Sequence, residues 1–332
     1  MKIGAIAALI AGLALVVFLV LHFGAAHVFD AVVRVGWGGF ALICLTGVAG
    51  TEACLATAWY VLMQRHGVRW PLLLLARQMR DSSSDLLPFT QVGGMVIGAR
   101  AAVLGGVTPP VAFAGMMVDV TTELIGQIAF VVLGLLLGIA DLRASATLAP
   151  YADAMILVTA LMVPAAAAFI VMQRRGTQIA EKLAARLLPA AVRHTEAFSS
   201  ALHDFYEKPL RLTLSATCHL IAWIVSGVWI WLIIRLIGVH ANVLSVITIE
   251  ALLGALRSVT VFIPSSVGVQ EAGYAALAQV FGMGPEIGLA VSLLKRARDV
   301  AVGVPVLLTW QFLEGRRALT RTRTPAKELE PL

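Results

Sequence analysis

VAFAGMMVDVTTELIGQIAFVVLGLLLGIA, residues 111–140, decides the class of this protein. The run exceeds the about 20 apolar residues that an α-helix needs to cross a bilayer. Within it, Asp119, Glu123 and Gln127 stand at i, i+4 and i+8, so they share one face of a helix. An acidic side chain at the centre of a membrane helix costs roughly 3 kcal/mol. The stripe therefore faces ion partners or a polar cavity wall, and the rest of the helix faces lipid.

Five further stretches have the length and apolar character of a span: 3–23, 38–62, 154–172, 212–237 and 286–313. The first, after Lys2, is too long for a secretory signal core and reads as a retained anchor. Across the 332 residues, 59% are hydrophobic and 13% charged, and mean hydropathy is +0.89. Water-soluble domains run near half apolar and a quarter charged. Soluble, disordered and collagen-like classes are thereby excluded. Trp37, Trp59, Tyr60, Trp70 and Trp310 fall near span ends, as an interfacial aromatic belt requires.

Of the 25 basic residues, 18 fall at Lys2 or in 61–108, 174–211 and 315–332. Arg34, Arg143 and Arg257 mark the connections on the other side. This alternation places both termini in the cytoplasm, and it accounts for the net charge of +6 as a topology signal, not a nucleic-acid footprint. Segment 174–211, which mixes acids with bases, reads as an amphipathic helix pair resting on the inner leaflet. The chain is expected to form one transmembrane domain over 1–314, with halves of about 1–150 and 151–314, and a disordered basic tail over 315–332.

Two connections contain short apolar segments. Segment 71–108 holds Leu72–Ala76, Arg80, Pro88 and Gly93-Gly94; segment 243–285 holds Val243–Leu256, Arg257, Pro264 and Gly268. A shift of 176 residues lays Pro88 on Pro264, Pro109 on Pro285 and Glu123 on Asp299, and brings Arg80 within one residue of Arg257. With three spans in each half, the two copies run in opposite directions, as in transporters built from inverted repeats. The expected fold is an all-α polytopic membrane protein with six full spans and two re-entrant helical segments. Interfacial helices lying flat are the alternative for the short segments.

Glu52 lies near the middle of the second span and reads either as a helix-packing residue or as a protonatable coupling site. Lys295, Arg296, Arg298 and Asp299 interrupt the sixth span. Together with Asp119 and Glu123 these four sum to zero charge, and each half carries its ions at similar depth. Asp119 or Glu123 is therefore expected to contact Lys295 or Arg298. Neither a nucleophile elbow nor a phosphate-binding loop, dinucleotide fingerprint or zinc-protease motif occurs. The seven histidines show no metal-ligand spacing, and Cys44, Cys54 and Cys218 read as small packing residues. No cofactor and no metal are expected. Asp81 and Asp85 have the DxxxD spacing of a magnesium-pyrophosphate site, which keeps a membrane-embedded transferase as an alternative.

The stretch Leu256-Arg257-Ser-Val-Thr-Val-Phe-Ile-Pro264-Ser265-Ser266-Val267-Gly268-Val269-Gln270-Glu271-Ala272-Gly273-Tyr274, with Ser292-Leu-Leu-Lys295-Arg296-Ala-Arg298-Asp299, resembles the flippase-like family that includes the transmembrane region of lysylphosphatidylglycerol synthases. Its form is closest to the hopanoid-biosynthesis-associated membrane proteins called HpnL. Gln270 stands where the broader family often has Arg. The resemblance implies translocation or handling of an amphiphilic lipid, here of hopanoid type, in the bacterial inner membrane. It also implies lipid-biosynthesis enzymes as partners, and a non-transporting scaffold for them is a further alternative. Fewer than twenty residues follow the last span, so aminoacyl transfer by this polypeptide is not expected. Candidate cavity or substrate-path residues are Glu52, Arg80, Asp119, Glu123, Gln127, Arg257, Ser265, Ser266, Glu271, Lys295, Arg296, Arg298 and Asp299.

Overall fold

The computed structural model describes residues 25–87, 91–144, 192–259 and 266–323, with isolated helical positions within 17–22 and 153–171. Among the described residues every regular element is a helix. Most of the expected span 3–23 lies outside them, and so do Pro88, Pro264 and Ser265, whereas twelve positions of the expected span 154–172 are described and all are helical.

Helix α1 (Ala25–Thr46) runs through a π-helical segment (Gly47–Glu52) into α2 (Ala53–Met63). A left-handed Gly67 then turns the chain into α3 (Trp70–Leu86), which begins with Pro71 in its first turn. Proline is tolerated there because the first backbone N–H groups have no helical acceptor anyway. Next come α4 (Gln91–Leu104), α5 (Pro109–Ala144), α6 (Val192–Tyr206) and α7 (Pro209–Ile237). The last three helices are α8 (Val243–Val259), α9 (Val269–Val280) and α10 (Pro285–Arg323).

Among the described residues three stretches are long and apolar enough to cross a membrane: Val28–His66, Pro109–Ile139 and Pro209–Ile237. Helix α10, with 39 residues, has the length, but its interior charges break its apolar character. Helices α3 and α8 each have 17 residues, α4 has 14 and α9 has 12. At 1.5 Å per residue none of these four reaches the roughly 30 Å thickness of a hydrocarbon core. They pair into two hairpins, α3 with α4 and α8 with α9. Close approach within the first hairpin depends on Gly94, where a Cβ would collide with Ser84 Oγ and the carbonyl of Arg80.

The packing crosses between the halves of the chain. Helix α5 lies against α8, and α10 lies against α3. One apolar core joins Ile43, Val131, Ile233, Leu252 and Val291; a second joins Trp59, Met79, Ala102, Met116 and Phe205. Large apolar side chains such as Trp37, Leu136 and Leu210 point outward, which suits a lipid solvent. Helix α6 departs from the expectation of a helix resting on the leaflet. It buries Leu202 and Phe205 against α5, and the Tyr206 hydroxyl lies 3.2 Å from Thr121 Oγ1. Burying two such side chains removes enough apolar surface to contribute about 2–3 kcal/mol each, so docking to protein wins over lying on lipid.

Candidate functional site: a buried network of ion pairs

Helix α3 carries Arg77, Arg80, Asp81 and Ser84 at i, i+3, i+4 and i+7, one face of a helix. That face meets the Asp119, Thr122, Glu123 face of α5. Arg77 Nη2 lies 2.6 Å from Glu123 Oε1, Nη1 lies 3.1 Å from Asp119 Oδ2, and Nε donates to Asp81 Oδ2 at 2.7 Å. Arg80 adds bonds of 3.2 Å to Asp119 and 2.8 Å to Glu123. Helix α7 completes the cluster with His219, whose Nε2 lies 3.1 Å from Asp119 Oδ1, and with Ser215, 2.9 Å from Thr122 Oγ1. Both carboxylates on α5 are thus held by the planar guanidinium fork, which matches carboxylate geometry in a way an ammonium cannot.

A second cluster centres on Glu250 of α8, which is fully buried. Its Oε1 accepts from Arg257 Nη2 at 3.1 Å, Lys295 Nζ at 3.2 Å and Ser226 Oγ at 3.3 Å; its Oε2 accepts from the Tyr274 hydroxyl at 2.6 Å. One carboxylate therefore serves two cations.

Two further pairings surround these clusters. Glu271 accepts the Gly268 N–H at 2.7 Å, which ties the start of α9, and accepts Arg296 Nε at 2.6 Å and Ser292 Oγ at 3.2 Å. Gly268 sits at φ 84 there, a conformation open to glycine and strained for other residues. Arg298 Nη2 lies 3.2 Å from Glu52 Oε1, and its Nη1 lies 3.0 Å from Asp299 Oδ1. Gln127 donates to the carbonyl of Gly254 at 3.1 Å and to Ser258 Oγ at 3.2 Å, fastening α5 to α8. Gln270 donates to Ser292 Oγ at 3.3 Å, so it supports the Glu271 pairing without itself carrying charge.

The expected contact of Asp119 or Glu123 with Lys295 or Arg298 is corrected by these partners. The acids of α5 are held by Arg77 and Arg80, whereas Lys295 is held by Glu250 and Arg298 by Glu52 and Asp299. Short helices α3 and α8 interpose their own charges, so each long helix finds its counter-ions on the nearer hairpin. Arg77, Glu250, His219 and Tyr274 join the network without having been singled out from sequence. Ser266 is buried in a left-handed conformation at φ 46, and Ser265 lies outside the described residues. Asp81 is drawn to Arg77, with Arg80 Nε at 3.7 Å. Among the described residues no group of three or more His, Cys, Asp or Glu side chains is arranged to hold a metal ion. The three cysteines are free thiols.

A space of about 170 Å³ lies between α3, α4 and the end of α10, lined by apolar side chains including Leu72, Met79, Leu104 and Leu313. Arg100 and Glu314 pair at 2.7 Å across α4 and α10 with both side chains more than a third exposed.

Residues 5–306 match the family described as the lysylphosphatidylglycerol synthase TM region. No curated protein and no solved structure matches the chain. With helices as the regular structure and three stretches able to cross a bilayer among the described residues, and a family match over nearly the whole length, this is a membrane protein with a lipid-related role. The chain belongs to the lysylphosphatidylglycerol synthase transmembrane-region family.

Proposed function

We propose that the protein moves an amphiphilic lipid between leaflets of the bacterial inner membrane, with both termini in the cytoplasm and without chemical change to the lipid. The observation that carries this reading is the buried ion network. Asp119 is the eleventh residue of α5, and Lys295 is the eleventh of α10. Each therefore lies about 15 Å along its helix, roughly half-way through a 30 Å hydrocarbon core when the helices start at its edges. A lipid headgroup crossing unaided would meet no polar partner there. Side chains already desolvated and paired can exchange partners with a headgroup while the acyl or polycyclic body stays in lipid.

The register of the helices supports an inverted repeat as the frame for this movement. Arg77 and Glu250 are the eighth residues of two 17-residue helices, and their partners Asp119 and Lys295 hold matching places in α5 and α10. Glu123 and Asp299 are likewise both fifteenth. Arg80 and Arg257 fit less well, at the eleventh and fifteenth places of α3 and α8. Halves related in this way rock about a central site in many transporters. The likeness of Pro264-Ser-Ser-Val-Gly-Val-Gln270-Glu271 to the HpnL proteins makes a hopanoid the lipid proposed first. Against a transferase centred on Asp81 and Asp85 stands the engagement of Asp81 by Arg77 at 2.7 Å.

The test is a leaflet-resolved assay in proteoliposomes of phosphatidylethanolamine and phosphatidylglycerol. Labelled phosphatidylglycerol and a labelled hopanoid are compared for loss of signal to an impermeant quencher. Faster transfer than in protein-free vesicles, with preference for one lipid, is the expected result.

A further inference from the structure

Glu52 ends the π-helical segment Gly47–Glu52, a local widening of the helix that is frequent at functional positions. The irregular backbone is held in place by its neighbours. Trp229 Nε1 donates to the carbonyl of Ile43 at 3.0 Å, and Gly47 lets Arg298 and Trp229 approach so closely that a Cβ would stand 3.1 Å from Arg298 Nε. Through this device the Glu52 side chain is directed inward, and the residue is only 6% exposed.

Its two oxygens differ. Oε1 accepts from Arg298, whereas Oε2 is buried with no hydrogen-bond partner, as are the adjacent Thr51 Oγ1 and Arg298 Nε. Native proteins seldom leave a carboxylate oxygen in that condition. Charge at this point is also unbalanced. The single guanidinium of Arg298 serves both Glu52 and Asp299.

The remaining groups facing Glu52 bring no cation reserved for it. From α3 come Asp81 and Arg77, but Arg77 is already shared among Asp81, Asp119 and Glu123; Asp85 of the same helix also faces Glu52, with Lys295 and Arg257 near it. From α1 comes the neutral thiol of Cys44, near Arg298 and Asp299. Helix α7 contributes the indole of Trp229, 5.6 Å from the guanidinium. Asp299 has the more exposed side chain of the two acids on Arg298, at 16% against 8%, so its charge is the less costly to keep. The uncompensated charge falls on Glu52.

We infer that Glu52 is a proton-binding site inside the membrane, taking up a proton on Oε2 and returning it to water as the helices rearrange. The O–H bond forms on the bare oxygen, the carboxylate becomes a carboxylic acid, and Arg298 with Asp299 is left as a matched pair. Nothing else is made or broken, and the proton is the only ligand required. That the proton is coupled to lipid movement rests on the function proposed above; that it binds does not.

The experiment uses the whole protein in phosphatidylethanolamine and phosphatidylglycerol vesicles. Infrared difference spectra between acid and alkaline buffer are recorded for wild type, Glu52→Gln and Glu52→Asp. A protonated-carboxyl band that titrates in wild type, is lost in E52Q and returns at a shifted position in E52D is the expected result. Absence of such a band in folded wild type, or its persistence unchanged in E52Q, overturns the inference. In the same vesicles, an imposed pH gradient should shift the leaflet distribution of labelled lipid in wild type and leave it unmoved in E52Q. Equal response of both proteins overturns the coupling. A titrating Glu52 band in vesicles that move no lipid at any pH supports the proton site and removes the translocation reading instead.

Discussion

Arg77 and Glu250 occupy the same register, the eighth residue of a 17-residue helix, and carry opposite charges. Each reaches a long helix and finds a partner of opposite sign at its eleventh position: Asp119 at 3.1 Å for Arg77, Lys295 at 3.2 Å for Glu250. The two sites have the same layout with the charges exchanged. In one, two cations are shared by several acids; in the other, a single acid is shared by two cations.

That sharing predicts an order among substitutions. Glu250→Gln removes the carboxylate that Lys295, Arg257 and Tyr274 share, whereas Lys295→Met leaves Glu250 still bonded to Arg257 and Tyr274. Removing one partner of a buried pair costs about 3–5 kcal/mol, so E250Q should lie in that range and K295M well below it. Unfolding of the detergent-solubilised protein measures both; K295M as harmful as E250Q would count against the shared-carboxylate geometry.

At the first cluster the same logic singles out Arg77. Arg77→Ala leaves Asp81, Asp119 and Glu123 short of a partner and should cost about 3–5 kcal/mol. Arg77→Lys keeps the charge and loses the fork, so its loss should be intermediate. The comparison is with Arg100→Ala, which breaks an exposed pair to Glu314 and should cost no more than about 1 kcal/mol. Equal losses for R77A and R100A would show that the interior pairings contribute no more than surface ones.

Gly94→Ala tests the first hairpin. The new Cβ must displace Ser84 Oγ and the Arg80 carbonyl, and overpacking of this kind costs about 1–3 kcal/mol. Because Arg80 is bonded to Asp119 and Glu123, the strain is expected to reach activity as well as stability. Normal thermal stability of G94A would place α4 further from α3 than the structure does.

Orientation is tested by reporters. A periplasm-active reporter fused after Arg317 should stay silent, and one inserted near Asp141 should be active. The structure removes Arg77 and Arg80 from the cytoplasmic count and Arg257 from the other side, because their side chains pair with buried acids. The asymmetry of basic residues survives that removal. The opposite reporter pattern would reverse the topology.

Much of the fold can be read in the chain. The span at 111–140 recurs as α5, the short segments appear as paired helices, and Asp119 and Glu123 do share a face turned from lipid. The identity of the counter-ions was less legible. Neutrality of Asp119, Glu123, Lys295, Arg296, Arg298 and Asp299 as a group is a true sum, but it does not select partners. Glu250 lay within an apolar run, and Arg77 lay among bases assigned to a loop. A signal existed in the helical spacing of Arg77, Arg80, Asp81 and Ser84, which marks a polar face too ordered for a loop. His219 had a weaker signal, Ser215 four residues earlier on the same face of α7, and its burial beside Asp119 shows its place.

In the proposed function, the buried ion network carries a lipid headgroup across the membrane. Transfer of labelled phosphatidylglycerol or labelled hopanoid, measured by access of an impermeant quencher, tests it most directly. The comparison is among wild type, the folded K295M variant and protein-free vesicles. Transfer by wild type above the protein-free rate is expected, with at least a several-fold loss in K295M at equal reconstitution. Wild-type transfer of both lipids no faster than in protein-free vesicles would contradict it.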